Sequence, residues 1–316
     1  MTARYSEDEL IARLFAPIAG PAGLGLTDDA ALLPPSGEPT VATVDMLVAG
    51  VHFFPDDPPA LIAKKALRVN LSDLAAKGAE PIGFLLSLAL PGDWTNEWLA
   101  AFAEGLAADA AAYGAPLIGG DTTATPGPLA ISITALGRAP RFVARSGARP
   151  GDGVFVSGAI GDAALGLLLR RDPSLAARLS PAAREHLEDR YLLPRPRLDM
   201  IDALRAHATA AMDVSDGLAG DLAKLCGASG VSAVVEAPLV PLSAAAQEVI
   251  TFSPDLLETA LTGGDDYELL LTAAAGAALP PGVTRIGEIV AGKAASKFLD
   301  TEKTQIIFGK TSFSHF

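Results

Sequence analysis

Several aspartates in this sequence stand where strand-like segments end or turns begin. They are Asp28-Asp29, Asp45, Asp73, Asp121 after Gly119-Gly120, Asp213 and Asp216 around Ser215, and Asp265-Asp266 after Gly263-Gly264. Taken singly, each reads as a turn or cap residue, because a short carboxylate bonds readily to nearby backbone N–H groups. Taken together, they read in the sequence as a set without matching basic residues beside them. If they converged, their repulsion would raise their pKa values unless cations were bound. All-oxygen sites favour magnesium or calcium over zinc or copper. Magnesium commonly bridges a few carboxylates to substrate phosphates. The carboxylates are skewed the same way, with 23 Asp against 14 Glu. Gly119-Gly120 allows backbone amides to approach phosphate oxygens. Arg145, in Arg145-Ser146-Gly147, offers a fork of donors to a phosphate and reads equally as a linker arginine on the surface. The set is compatible with a nucleotide–Mg²⁺ site.

Other chemistries fail on spacing. Phe308-Gly309-Lys310-Thr311 has the end of a P-loop, but the earlier glycine would fall at Thr304. Asp213-Val214-Ser215-Asp216-Gly217 starts like a calcium loop, yet Leu218 stands where its glycine belongs and Lys224 where its bidentate acid belongs. There is no G-x-S-x-G elbow. His52, His186, His207 and His315 show no H-E-x-x-H spacing, which disfavours a zinc hydrolase.

The elements that must hold these residues alternate between the two periodicities. Strand patterns cover 41–45, 84–90 and 129–136, and helix patterns cover 59–78 and 94–113. Leu117-Ile118 leads into an expected turn at Gly119-Gly120-Asp121. A loop rich in Arg, Gly and Pro runs from Arg138 to Gly153, and the domain boundary is placed there, giving 1–140 and 141–316. The second half predicts strands at 154–157, 210–214, 231–236, 268–272 and 283–289. It also predicts a helix over 162–171 with Gly161 and Asp162 at its start, and another after Asp216. This alternation predicts two α/β or α+β domains.

The chain has 316 residues and a formal net charge of −13. At ~150 residues per domain that length suggests about two domains. Such an acidic protein is a poor general binder of phosphate backbones, so no nucleic-acid partner is expected. No stretch approaches the ~18 apolar residues of a membrane helix. The polar, acidic N-terminus argues against a signal peptide. The expectation is a cytoplasmic protein without a membrane partner. The single cysteine, Cys226, excludes an intramolecular disulfide and reads as inert core in an apolar helix. Residues 1–292 carry 16 Arg and 4 Lys, whereas 293–316 carry 4 Lys and no Arg. That shift marks the tail as divergent in origin or altered at its end, two readings that the sequence does not separate.

In order along the chain, these motifs resemble the thiamine-monophosphate kinase family. The matching stretches are Asp28-Asp29-Ala30-Ala31-Leu32-Leu33, Val44 to Phe53, Lys65 to Ala76, and Leu117-Ile118-Gly119-Gly120-Asp121-Thr122. They continue with Arg145-Ser146-Gly147, Asp213 to Leu218, Gly263 to Leu269, and the terminal His315-Phe316. The arginine loop and the D-x-S-D-G stretch also occur across the wider superfamily of aminoimidazole-ribotide synthetase-like ATP enzymes. The resemblance implies a two-domain aminoimidazole-ribotide synthetase-like fold of the α/β (α+β) class. Its N-terminal domain binds ATP and Mg²⁺ and pairs with its twin across a homodimer; its C-terminal domain is α/β. It also implies a reaction in which ATP and thiamine monophosphate give thiamine diphosphate and ADP.

By position, the resemblance implies metal-site roles for Asp29, Thr43, Asp45, Asp73, Asp121, Asp213 and Asp216. It implies ATP contacts from Gly120, Asp121, Arg145 and Ser215, and substrate contacts from His52, Asp265 and Phe313. The resemblance further implies several Mg²⁺ ions as cofactor and ATP as co-substrate. The chain departs from the family pattern at Thr27, which replaces Gly, and at Val44, which replaces a hydroxyl residue. Asp265 replaces Glu, and Phe313-Ser314 stands before the final His-Phe.

The acceptor is a phosphate monoester whose second pKa is ~6, so it is largely anionic at pH 7. No general base is therefore expected, and direct transfer without a phospho-enzyme is expected. His52 is expected to orient substrate; its alternative reading is a packed histidine after a strand. Two other readings of the whole chain are another ATP-using superfamily member and a non-catalytic Mg-nucleotide-binding regulator.

Overall fold

The computed structural model describes residues 4–28 and 30–313. Contacts divide the chain into two units. The first comprises Met1–Leu74 and Ala79–Pro140, and the second Ala75–Gly78 and Arg141–Phe316.

In the first unit, α1 (Glu7–Leu10) is followed by β1 (Thr40–Val48), α2 (Pro59–Ala76), β2 (Glu80–Leu90), α3 (Asn96–Ala112), β3 (Leu117–Ala124) and β4 (Ala130–Arg138). The four strands form one sheet in the order β1-β4-β2-β3. β4 pairs antiparallel with both β1 and β2, while β2 and β3 run parallel. Side chains alternate across each strand, so the register sorts them into two faces. Ile131, Ile133 and Ala135 of β4 are buried together with Leu86 and Leu88 of β2. On the other face, Val44 and Met46 of edge strand β1 lie 60% and 58% exposed. α2 covers the buried face, because Asn70 and Asp73 bond to Asp45 and Thr43 on β1. Helix α3 starts from Thr95, whose hydroxyl accepts the Trp98 N–H.

One expectation fails here. Gly119-Gly120-Asp121 is not a turn but the middle of β3, with Gly120 opposite Leu86 on the parallel neighbour. A Cβ at Gly120 would lie 1.9 Å from the Leu86 carbonyl oxygen, so close strand approach demands this glycine.

The second unit contains β5 (Asp152–Ser157), α4 (Asp162–Arg171), α5 (Pro173–Ala176), α6 (Pro181–Leu192), α7 (Ile201–His207), β6 (Ala208–Asp213) and α8 (Leu218–Ser229). It continues with β7 (Ser232–Glu236), α9 (Ala244–Phe252), α10 (Leu256–Thr262), β8 (Leu269–Ala274), β9 (Val283–Val290), β10 (Ser296–Leu299) and β11 (Gln305–Ile306). The strands form one mixed sheet, β11-β10-β7-β9-β5-β8-β6. Its centre is buried on both faces. Val154 and Val156 of β5 join Met212, Leu222, Leu225 and Ile286 in one core. Phe155 joins Leu204, Ala211 and Leu271 in another. A third cluster ties α4, α6 and α9 together through Leu165, Leu187 and Val249. Cys226 is buried on α8, and burial pushes its thiol pKa up to about 11, which leaves it an inert core residue.

The compositionally distinct tail is part of this sheet. β10 pairs in parallel with β7. Phe298 is 2% exposed and meets the Phe308 ring edge-on with centroids 5.2 Å apart. Replacing Phe298 with Ala should therefore cost about 3–5 kcal/mol of stability. Urea denaturation measures this, and a loss below about 1 kcal/mol would place the tail outside the core.

Candidate functional site

In the first unit, the meeting of β1 and α2 gathers oxygen donors. Thr43 and Asp45 share one face of β1. The Thr43 hydroxyl donates to Asp73 Oδ2. The Asp45 backbone N–H donates to Asn70 Oδ1 at 3.0 Å, and Asn70 Nδ2 donates to the Ala66 carbonyl at 3.0 Å. Asn70 is fully buried, so it fixes the strand against the helix and thereby the aspartates on either side. Farther along, β1 ends in a tight turn. The Val48 N–H donates to His52 Nδ1 at 3.0 Å, and the His52 N–H returns to the Val48 carbonyl at 3.0 Å. An accepting Nδ1 places the proton of a neutral imidazole on Nε2.

A cavity of about 770 Å³ opens on the exposed face of the same sheet, lined by Gly119, Gly120 and Asp121 of β3 and by Ser87 of β2. Asp28 and Leu26 of the N-terminal segment close its other side. Its size is within the range of small-molecule sites, about 300–1,000 Å³. Asp29 lies outside the described residues, as do His315 and Phe316.

In the second unit, three segments far apart in sequence are joined by backbone hydrogen bonds. β6 and β8 pair up to Asp213 opposite Leu269. The pairing then continues past the strand ends. Val214 N–H donates to the Glu268 carbonyl at 2.8 Å, Tyr267 N–H to the Val214 carbonyl at 2.8 Å, and Asp265 N–H to the Ser215 carbonyl at 2.9 Å. Phe313 N–H donates to the Asp216 carbonyl at 3.0 Å. Asp213, Ser215, Asp216, Asp265 and Phe313 are thus brought to one edge of this unit. Gly217 has φ +114, and a Cβ there would lie 2.4 Å from the Thr262 carbonyl oxygen, so only glycine lets the two loops pass.

Buried carboxylates behind this edge hold it in shape. Glu268 has no exposure and accepts from Arg197 Nε at 2.6 Å, Arg197 Nη2 at 2.7 Å, Arg190 Nη2 at 2.9 Å and the Ser157 hydroxyl at 2.6 Å. Asp266 caps the start of α4, accepting from the Gly161 N–H at 2.7 Å and the Ala163 N–H at 3.3 Å. Burial raises its pKa well above the usual carboxylate range. The two N–H groups pull against that shift, and the nearby Asp162 and Glu268 charges add to it. With its neighbours so anchored, the chain passes through left-handed φ at Asp265 (+72) and Tyr267 (+52). The Tyr267 hydroxyl donates to Asp265 Oδ1 at 3.3 Å.

Arg145 lies exposed in the loop after β4. That loop is pinned on both sides of it, by the Ala211 N–H on the Ala144 carbonyl at 2.9 Å and by the Gly147 N–H on Ser229 Oγ at 3.2 Å. Sequence reasoning assigned no role to Asn70, Asp221, Glu268, Arg190 or Arg197. Asn70 lies within the matching stretch Lys65 to Ala76. Glu268, Arg190 and Arg197 owe their roles to partners distant in the chain, and Asp221 to the Ser215-Asp216 turn just before its own helix.

Among the described residues, no group of three His, Cys, Asp or Glu side chains is gathered so as to hold a metal ion. The donors present fit a cation that takes only one or two carboxylates and completes its shell with water and substrate phosphates, which is the habit of Mg²⁺. Thr43 with Asp73, and Asp45 beside them, are oxygen donors of that kind.

Comparison with known proteins gives the class. Residues 27–139 match the AIR synthase related protein N-terminal domain, and residues 149–299 match the AIR synthase related protein C-terminal domain. The chain belongs to this AIR synthase related family. The nearer likeness is to the thiamine-monophosphate kinases within it. The enzyme of that name from Caulobacter vibrioides is 41% identical over 93% of this chain and 86% of its own. The thiamine-monophosphate kinase crystal structure from Stenotrophomonas maltophilia is 42% identical, covers 86% of this chain and 89% of its own, and superposes with a TM-score of 0.78. AaThiL complexed with AMPPCP and TMP is 30% identical, covers 98% of this chain and 94% of its own, and has a TM-score of 0.80. Among the described residues, no helix is long and apolar enough to cross a membrane.

The Glu268 network makes a direct prediction. Glu268→Gln leaves the buried Arg190 without its counter-charge and should cost about 3–5 kcal/mol. Equilibrium unfolding in urea reads this loss. A change below about 1 kcal/mol, the scale of an exposed ion pair, would show that the network does not hold the edge.

Proposed function

We propose that this chain transfers the γ-phosphoryl group of ATP directly to the phosphate of thiamine monophosphate, giving thiamine diphosphate and ADP. The observation that supports it best is the joining of the 213–217, 264–268 and 313 segments at one edge of the second unit. Those segments carry the motif positions assigned to metal, nucleotide and substrate. The complex of the relative AaThiL with AMPPCP and TMP supports the same pair of reactants.

The residue roles are as follows. In the first unit Asp29, Thr43, Asp45, Asp73 and Asp121 would bind Mg²⁺, and in the second unit Asp213 and Asp216 would do so. When bound, Mg²⁺ supplies charge that offsets the repulsion between two anionic phosphates. Gly120, Asp121, Ser215 and Arg145 bind ATP. Gly120 and Asp121 line the cavity of the first unit, and the pinned loop presents the Arg145 fork toward solvent, where a phosphate can take two parallel bonds. The backbone tie on Nδ1 leaves His52 with its N–H at Nε2, so it serves as an oriented donor to substrate and not as a carrier of phosphate. Asp265 takes a position set by its strained backbone, and Phe313, 49% exposed, offers a flat face to a thiamine ring. The acceptor phosphate is already ionised near neutrality, its second pKa being ~6. The protein therefore needs no base to activate it. Its work is to hold two anions in line.

The assay is purified protein with ATP, Mg²⁺ and thiamine monophosphate, detecting thiamine diphosphate directly, with and without EDTA. Product should form and vanish with EDTA. Asp213→Asn or Asp45→Asn should lower kcat by about a hundredfold or more, since even partners behind a metal ligand are worth about 10- to 100-fold. Near-normal rates in either variant at saturating Mg²⁺ would remove these residues from the metal site. ATP binding without turnover would instead favour the regulator reading.

The first unit also supports pairing with a second copy. Its edge strand β1 presents Val44 and Met46 at 60% and 58% exposure on the uncovered face of the sheet. Single apolar side chains are common on surfaces, but a row on an unpaired strand edge is costly to leave in water. Sedimentation velocity should show a dimer that Val44→Lys with Met46→Lys converts to monomer. A wild-type monomer at micromolar concentration would overturn this.

A further inference from the structure

The turn that carries Ser215 and Asp216 is held by a residue with no assigned role. Asp221, in the first turn of α8, has no exposure. Its Oδ2 accepts the Ser215 N–H at 3.1 Å and the Asp216 N–H at 2.9 Å. Its Oδ1 accepts from Lys224 Nζ at 2.8 Å. The same ammonium also donates to Asp216 Oδ2. One cation therefore bridges a buried carboxylate and a carboxylate whose side chain is 38% exposed.

An ammonium and a divalent cation seek the same lone pairs. Asp221 anchors Lys224 one helical turn away, so the ammonium is present at high effective concentration wherever Asp216 points. We infer that Lys224 is a tethered counter-ion that occupies Asp216 until a divalent cation displaces it, with Asp221 as the positioning residue that holds both the turn and the lysine. The inference rests on the proposed role of Asp216 as a metal ligand. Through it, Lys224 sets the cation concentration at which the site fills, and it screens Asp216 from Asp221 when the site is empty.

The test uses Mn²⁺ as probe, with binding to the full-length, nucleotide-free protein followed by electron paramagnetic resonance. Lys224→Met keeps the length of the stem and removes the charge. It should tighten Mn²⁺ binding by about three- to tenfold, while Lys224→Arg keeps the wild-type affinity. Without divalent cations, K224M should melt below the wild type, and the gap should close as Mn²⁺ is added. Unchanged or weaker Mn²⁺ binding by K224M overturns the inference. So does a melting difference that is the same with and without Mn²⁺, since a purely structural lysine would give that result. Asp216→Asn separates the two layers. Weaker Mn²⁺ binding by D216N beside an unmoved K224M defeats the role of Lys224 alone. Wild-type binding by D216N defeats the assignment of Asp216 and the inference with it.

Discussion

A carboxylate with no access to water, Glu268, is the constraint on which the second unit depends. Two guanidinium groups and a serine hydroxyl surround it. An ionised group at that depth is tolerable only with such partners. Its position is then fixed, and so is the backbone on both sides. The Glu268 carbonyl takes the Val214 N–H, which begins the run of bonds past the ends of β6 and β8. On the other side, Asp266 is tied to the start of α4. Two residues with left-handed φ, Asp265 and Tyr267, stand on either side of the anchored Asp266. Strain in the displayed residues and rigidity in the hidden ones are one arrangement.

The same division recurs elsewhere. Asn70 is hidden and holds Asp45 and its neighbours on β1. Asp221 is hidden and holds Ser215 and Asp216. In each case a buried polar side chain accepts from the backbone N–H of a motif residue and so fixes that residue's place. Buried polar groups must be satisfied, so these sites resist local drift. A carboxylate meant to meet Mg²⁺ and phosphate gains from that, because its position is settled before any ligand arrives.

The legible parts of this chain were those with local causes. The helix over 162–171 was readable from Gly161, Asp162 and the apolar spacing, and the strands of the central sheet from their continuous apolar runs. The middle of β3 was misread because two glycines and an aspartate form a turn signal in isolation. Only the Leu86 carbonyl on the neighbouring strand explains why Gly120 is needed there. The motif aspartates were visible as types and positions. The residues that hold them were not, because Asn70 is defined by a strand 25 positions away and Glu268 by an arginine 78 positions away. The altered composition of the tail gave no sign that Phe298 is core, since a change in lysine usage says nothing about where an aromatic ring packs.

The order of strands in the second sheet sets a timetable for synthesis. β5, the first of its strands to be made, lies between β9 and β8, which come more than a hundred residues later. Its two edges are unsatisfied until those strands leave the ribosome, and β10 with β11 from the tail completes the far side. Loop closure over such distances slows folding and leaves strand edges exposed meanwhile. The first unit's sheet has no such wait, because all four of its strands are complete by Arg138. A growing chain therefore carries one finished sheet and one open one, and the open sheet, which includes the edge bearing Asp213 and Asp265, is the part whose strands wait longest for their partners.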